Sequence, residues 1–91
     1  MEKGFEFKID FKYPIDQKRD EKLWREFILN FVEASKLTFG GGGDRFGIRG
    51  YLDYEESNHS LQSLKKVLIS FFRKYKFVGE IWIDGVYISP M

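Results

Sequence analysis

The sequence predicts an α+β domain in which two helices cover one face of a four-stranded sheet. Three observations predict it. Residues 5–13 alternate strictly between apolar and polar side chains, the period of a strand with one buried face. Two later segments, opening near Arg19 and near Leu61, repeat apolar residues at helical spacing. Shorter extended stretches broken by glycine follow each helix and complete the order β-α-β-β-α-β. Ninety-one residues are the length of one domain, here taken as 1–91.

In the first strand, Phe5, Phe7, Ile9, Phe11 and Tyr13 share one face, and Glu6, Lys8, Asp10 and Lys12 the other. Pro14 ends it. From about Arg19 to Ser35 the apolar positions Leu23, Trp24, Phe27, Ile28, Phe31 and Val32 trace a helical stripe that leaves Leu29 outside. Asp16 or Asp20 supplies the N-cap, and Asp20 with Glu21 places negative charge in the favourable first turn. Leu37-Thr38-Phe39 is a short strand, and Gly40–Gly43 after it predicts a mobile hairpin loop. A third strand runs roughly from Gly47 to Tyr54, with Gly47 and Gly50 pointing to a bulge or a close backbone approach.

The second helix draws its N-cap from Ser57–Ser60 and ends near Lys76. Its stripe is Leu61, Leu64, Val67, Leu68, Phe71, Phe72 and Tyr75. The last extended segment is Phe77–Ile88, where Asp84-Gly85 is either a tight turn or a distortion within one strand. This order is that of the ferredoxin-like fold. It makes the first strand central, turns its aromatic face to both helices, and puts Phe7, Ile9, Phe11, Trp24, Phe27, Phe31, Leu64, Leu68, Phe71 and Phe72 in the core.

Composition removes several classes of function. The chain holds 10 Phe, 5 Tyr and 2 Trp, too much apolar material for a disordered segment. It has no Cys, hence no disulfide framework, thiolate metal site or cysteine nucleophile. Fifteen basic and 14 acidic residues give a net charge of +1, so the molecule lacks a strong global basic field. No leader-like or membrane-length apolar run is visible, and a cytoplasmic location is expected.

Motif searches remove others. The glycine run lacks the Lys-Ser/Thr pair of a P-loop, does not satisfy G-x-G-x-x-G, and precedes a strand rather than a helix. His59 is the sole histidine and has no nucleophile–base set around it, so capping or plain exposure is the better reading. Glu6 and Asp10 interleave with lysines, as on a solvated sheet face. Asp84, between aromatic and aliphatic neighbours, reads best as a turn residue. The RNA-recognition-motif pattern begins at Arg49-Gly50-Tyr51-Leu52, but Asp53 stands where that module stacks an aromatic. No catalytic residue, cofactor site or metal site is expected.

Charge distribution is the most informative chemical feature. Ser57 to Gly79 contains no acidic residue, while Lys65, Lys66, Arg73, Lys74 and Lys76 are all basic. At about 100° per residue these cations fall on the helix half opposite the apolar stripe. The macrodipole and a solvated face explain part of this pattern. Contact with a phosphate backbone is the functional alternative.

Phe27-Ile28-Leu29-Asn30-Phe31-Val32-Glu33, followed by Leu37-Thr38-Phe39 and the four glycines, resembles the YggL family of 50S ribosome-binding proteins. Gly47-Ile48-Arg49-Gly50-Tyr51-Leu52 and Ile83-Asp84-Gly85-Val86-Tyr87 extend the likeness over nearly the whole chain. The chain departs from the familiar members in having only Met1 to Gly4 where they carry a basic arm. The resemblance implies a non-enzymatic protein that binds the large ribosomal subunit, through rRNA or a ribosomal protein. Candidate contact residues are Lys65, Lys66, Arg73 and Lys74 with Gly40, Gly41, Gly42 and Gly43. The competing reading is a protein-interaction module, dimeric through an edge strand such as Phe77–Ile83.

Overall fold

The computed structural model describes the backbone of residues 2–55 and 57–88 and the side chains of 3–55 and 57–83. Its elements are β1 (Glu2–Phe11), α1 (Gln17–Glu26) continued by a π-helical segment (Phe27–Glu33), β2 (Thr38–Asp44), β3 (Gly47–Glu55), α2 (Leu61–Arg73) and β4 (Val78–Ile88). The sheet order is β2-β3-β1-β4, antiparallel throughout. This is the expected ferredoxin-like order, with β1 central.

The period-two pattern of β1 acts as expected. Phe5, Phe7 and Ile9 are fully buried, and across the ladder they face Leu52, Gly50 and Ile48 of β3. Phe7 meets Phe27 of the π segment and Phe72 of α2, at 6.1 and 6.4 Å between ring centroids. Both helices therefore pack on the same sheet face. The strand stops at Phe11, and Tyr13 is 52% exposed rather than part of the buried row. The chain has already turned so that Ile15 can bury its side chain, with its N–H donated to the Arg45 carbonyl at 3.0 Å. Of the expected core, Phe11 and Trp24 lie at its margin; Leu23, Ile48, Leu52, Tyr54 and Phe77 are among the further residues that join it.

Asp16 is the N-cap of α1, accepting the Arg19 N–H at 2.8 Å. Ser60 caps α2 through the Ser63 N–H at 3.2 Å. The first helix is less regular than its stripe implies, because its last seven residues widen into π geometry. There Phe27 and Phe31 stack with an interplanar angle of 13°, and Val32 joins them in the core. On α2, Val67 is 49% exposed. It lies beyond the edge of the sheet-facing stripe, which Leu64, Leu68, Phe71 and Phe72 fill.

Two glycine expectations change. Gly40–Gly43 are not a hairpin loop: they are the body of β2, paired with Tyr51, Gly50, Arg49 and Ile48. Cross-strand sterics select glycine there. A Cβ on Gly40 would overlap the Tyr51 ring, and Gly41 holds φ +134° against the Arg49 carbonyl. The turn itself is Asp44–Gly47, closed by the Phe46 N–H donating to Asp44 Oδ1 at 2.8 Å. At Gly47 and Gly50 the reason is close approach, to the Ile9 carbonyl and to the Phe39 ring, while the β1–β3 register stays unbroken.

Asp84-Gly85 is not a hairpin turn either. β4 runs through it, and the register against β1 slips by one residue between Phe5↔Val86 and Phe7↔Ile83, as at a β-bulge.

Candidate nucleic-acid interface

The two predicted contact sets lie apart. The glycines are in β2, at one sheet edge, whereas α2 packs against the π segment and β4, at the other. Nothing in the geometry makes them one site.

On α2 the cations differ in availability. Lys66 is exposed and Lys65 half-buried. Arg73 donates from Nη1 to the Gly79 carbonyl at 2.6 Å, which ties the helix end to β4. Lys74 Nζ sits 4.3 Å from the Phe71 ring centroid and 3.9 Å from Glu26 Oε2. Its charge is partly committed inside the protein. Beside it, Tyr75 donates its hydroxyl to Glu26 Oε1 at 2.8 Å. Burial, then this bond and the Glu26 charge, hold the phenol well above its ordinary pKa.

The structure adds cations that the helical reading of α2 could not reach. Tyr13, Arg19, Lys22, Lys74, Tyr75, Lys76 and Phe77 line one hollow of about 300 Å³ between the start of α1 and the end of α2. Arg19 is paired with Asp16 at 2.8 Å, leaving Lys22 and Lys76 as exposed charges on its wall. The signal was present in sequence only as the start of α1; joining it to Lys76 requires the packing of the two helices. Arg19, Lys22, Lys74 and Lys76 thus place four cations around one concavity, two of them paired with carboxylates.

The opposite layer, the open face of the sheet, also carries more than its sequence pattern indicated. Parity along β3 and β4 turns Arg49, Tyr51 and Trp82 outward, beside Glu6 and Lys8 of β1. Together these residues border a shallow hollow of about 410 Å³. His59 is structural: its Nε2–H donates to the Ser35 carbonyl at 2.6 Å, joining the start of α2 to the end of the first helix. The Asp84 side chain lies outside the described residues. Among the described residues no cluster of His, Asp or Glu could hold a metal ion, and no helix is long and apolar enough to cross a membrane.

The four-stranded sheet with a two-helix layer is what the sequence resemblance implied, although the glycines it placed in a loop are part of β2. The family model described as YggL 50S ribosome-binding protein matches residues 1–87. This chain belongs to the YggL 50S ribosome-binding protein family. No curated protein and no solved structure matches it. Within this YggL-family chain the match spans all four strands and both helices, so it covers the cationic hollow and the open sheet face alike.

Proposed function

We propose that this protein binds the large ribosomal subunit in the cytoplasm, as a non-enzymatic accessory factor, through its helical layer. The family match over residues 1–87 carries the reading. The cationic hollow supports it physically: Lys22 and Lys76 stand exposed on one wall, and Lys66 extends the positive surface along α2. Phosphates of rRNA are the ligands this surface suits, because ammonium groups on flexible stems serve as point charges for a polyanion.

Purified wild-type chain is expected to pellet with isolated 50S subunits at moderate salt. The pair Lys22→Glu and Lys76→Glu should remove most of that co-sedimentation while leaving the circular dichroism spectrum unchanged. Undiminished pelleting of this double variant would show that the hollow is a solvated surface. Wild type remaining in the supernatant would overturn the large-subunit reading itself.

A further inference from the structure

The open sheet face holds an aromatic and cationic arrangement that the phosphate-binding helical layer does not use. Trp82 is 51% exposed and Tyr51 42% exposed. Lys8 stands opposite Trp82 in the β1–β4 ladder and opposite Arg49 in the β1–β3 ladder. One row across the sheet therefore reads Trp82, Lys8, Arg49, Gly42, with Tyr51 in the next row beside Glu6. The Tyr51 ring lies over Gly40, since a Cβ there would overlap its Cζ, Cε1 and Oη. Glycine at 40 thus lets the ring lie down on the sheet and show a face to solvent. Beside Arg49, a Cβ on Gly42 would meet nothing within 4 Å, so that end of the row is open to a ligand.

From this we infer that the open sheet face binds single-stranded RNA, with unpaired bases stacked on Trp82 and Tyr51 and phosphates held by Lys8 and Arg49. Rings accept any base through its π-face, and cations beside them supply contacts for the phosphates that link successive bases. A protein partner or a second copy of this chain suits the face less well. The centre of such an interface is depleted in charge, whereas here Lys8 and Glu6 lie between the two rings and Arg49 beside Tyr51. The carboxylates of Glu6 and Asp10 border the cations; Asp10 Oδ1 lies 3.9 Å from Lys8 Nζ and offsets part of its charge, which leaves Arg49 the stronger phosphate contact. The carboxylates repel phosphate from either side, so the phosphates lie along the middle row while Tyr51, in the Glu6 row, takes a base. Two cations in one row also fail to follow the spaced phosphates of a duplex. The inference rests on the large-subunit reading for the source of the RNA, but its chemistry is separate from that of the helical layer.

The test uses the full chain with rU10, rA10 and an RNA duplex of equal length, and separately with purified 50S subunits. Wild type should bind both single strands with quenched tryptophan emission and should bind the duplex much more weakly. Trp82→Ala and Tyr51→Ala should each weaken single-strand binding roughly tenfold, and Trp82→Phe should restore most of it. Both rings are exposed, so native circular dichroism is expected for all three variants. Ultraviolet irradiation of the 50S complex should crosslink the chain to rRNA, and Trp82→Ala should reduce the yield. Absence of single-strand binding by wild type, or ring substitutions silent on both oligonucleotides and 50S, overturns the inference and leaves the large-subunit reading intact. Crosslinks to a ribosomal protein that depend on Trp82, or a ring-dependent dimer in sedimentation equilibrium, also overturn it. Ring-dependent binding of rU10 by a chain that does not pellet with 50S upholds the stacking face and overturns the large-subunit reading instead.

Discussion

Phe27 touches the rings of Phe7, Trp24, Phe31, Phe39, Phe71 and Phe72, at centroid separations of 5.2 to 6.1 Å. It joins the first helix, α2 and two strands, so its loss leaves a hole that no single neighbour can fill. Phe27→Ala is expected to cost about 3–5 kcal/mol, a large share of the roughly 5–15 kcal/mol that stabilises an ordinary domain. A fall in the urea midpoint of that size checks it. Tyr75 offers a pH-dependent companion. Its phenol is raised by burial and by Glu26, so the unfolded chain ionises first, near pH 10. Stability is therefore complete below pH 10 and declines above it. Tyr75→Phe should be less stable than wild type by about 1 kcal/mol at pH 7, through the lost bond to Glu26. That gap should narrow at pH 11, because only wild type carries the titrating group. A gap that does not change with pH would refute the assignment.

At the scale of elements, β2 separates what the sequence showed from what it concealed. β1 was legible because every second residue from Phe5 to Phe11 is apolar, and the helices because their stripes recur at helical spacing. The π segment was not, since Phe27, Ile28, Phe31 and Val32 suit an α-helix equally well. Gly40–Gly43 misled because glycine is a poor strand former on its own account. The reason for it lies on the neighbouring strand, in the Tyr51 ring and the Arg49 carbonyl, which local propensity cannot see. A better signal was Asp44 with Gly47 three residues on, the composition of a type I turn. Cations were legible by type on α2, but the hollow joining Lys76 to Lys22, and the exposed rings of the sheet, depend on helix packing and strand parity. Two alanine variants test the account of β2. Gly41→Ala forces a side chain into φ +134° and should cost about 1–3 kcal/mol. Gly42→Ala, with open space around its Cβ, should be neutral or add about 0.4–1 kcal/mol by restricting the unfolded chain. Equal melting temperatures for the two variants would contradict it.

The whole molecule carries its charges in near balance, 15 basic against 14 acidic, so long-range steering toward a polyanion is weak. Affinity for the large subunit then depends on the few cations that are placed locally and left uncommitted. Around the hollow those are Lys22 and Lys76, with Lys65 and Lys66 along α2, since Arg19 and Lys74 are paired and Arg73 is tied to Gly79. Each phosphate neutralised adds about −0.9 to the slope of log affinity against log salt. Lys76→Ala should flatten that slope by about one unit. Trp82 on the opposite layer behaves differently, because stacking of a base on its ring releases few counterions. Trp82→Ala should therefore lower 50S affinity by a similar factor at every salt concentration and leave the slope unchanged. The two substitutions thus separate the layers in one titration series, with 50S binding measured by sedimentation from about 50 to 300 mM salt. A slope near zero for wild type would remove phosphate contact from the helical layer. A slope that changes with Trp82→Ala would mean that the two faces do not bind independently.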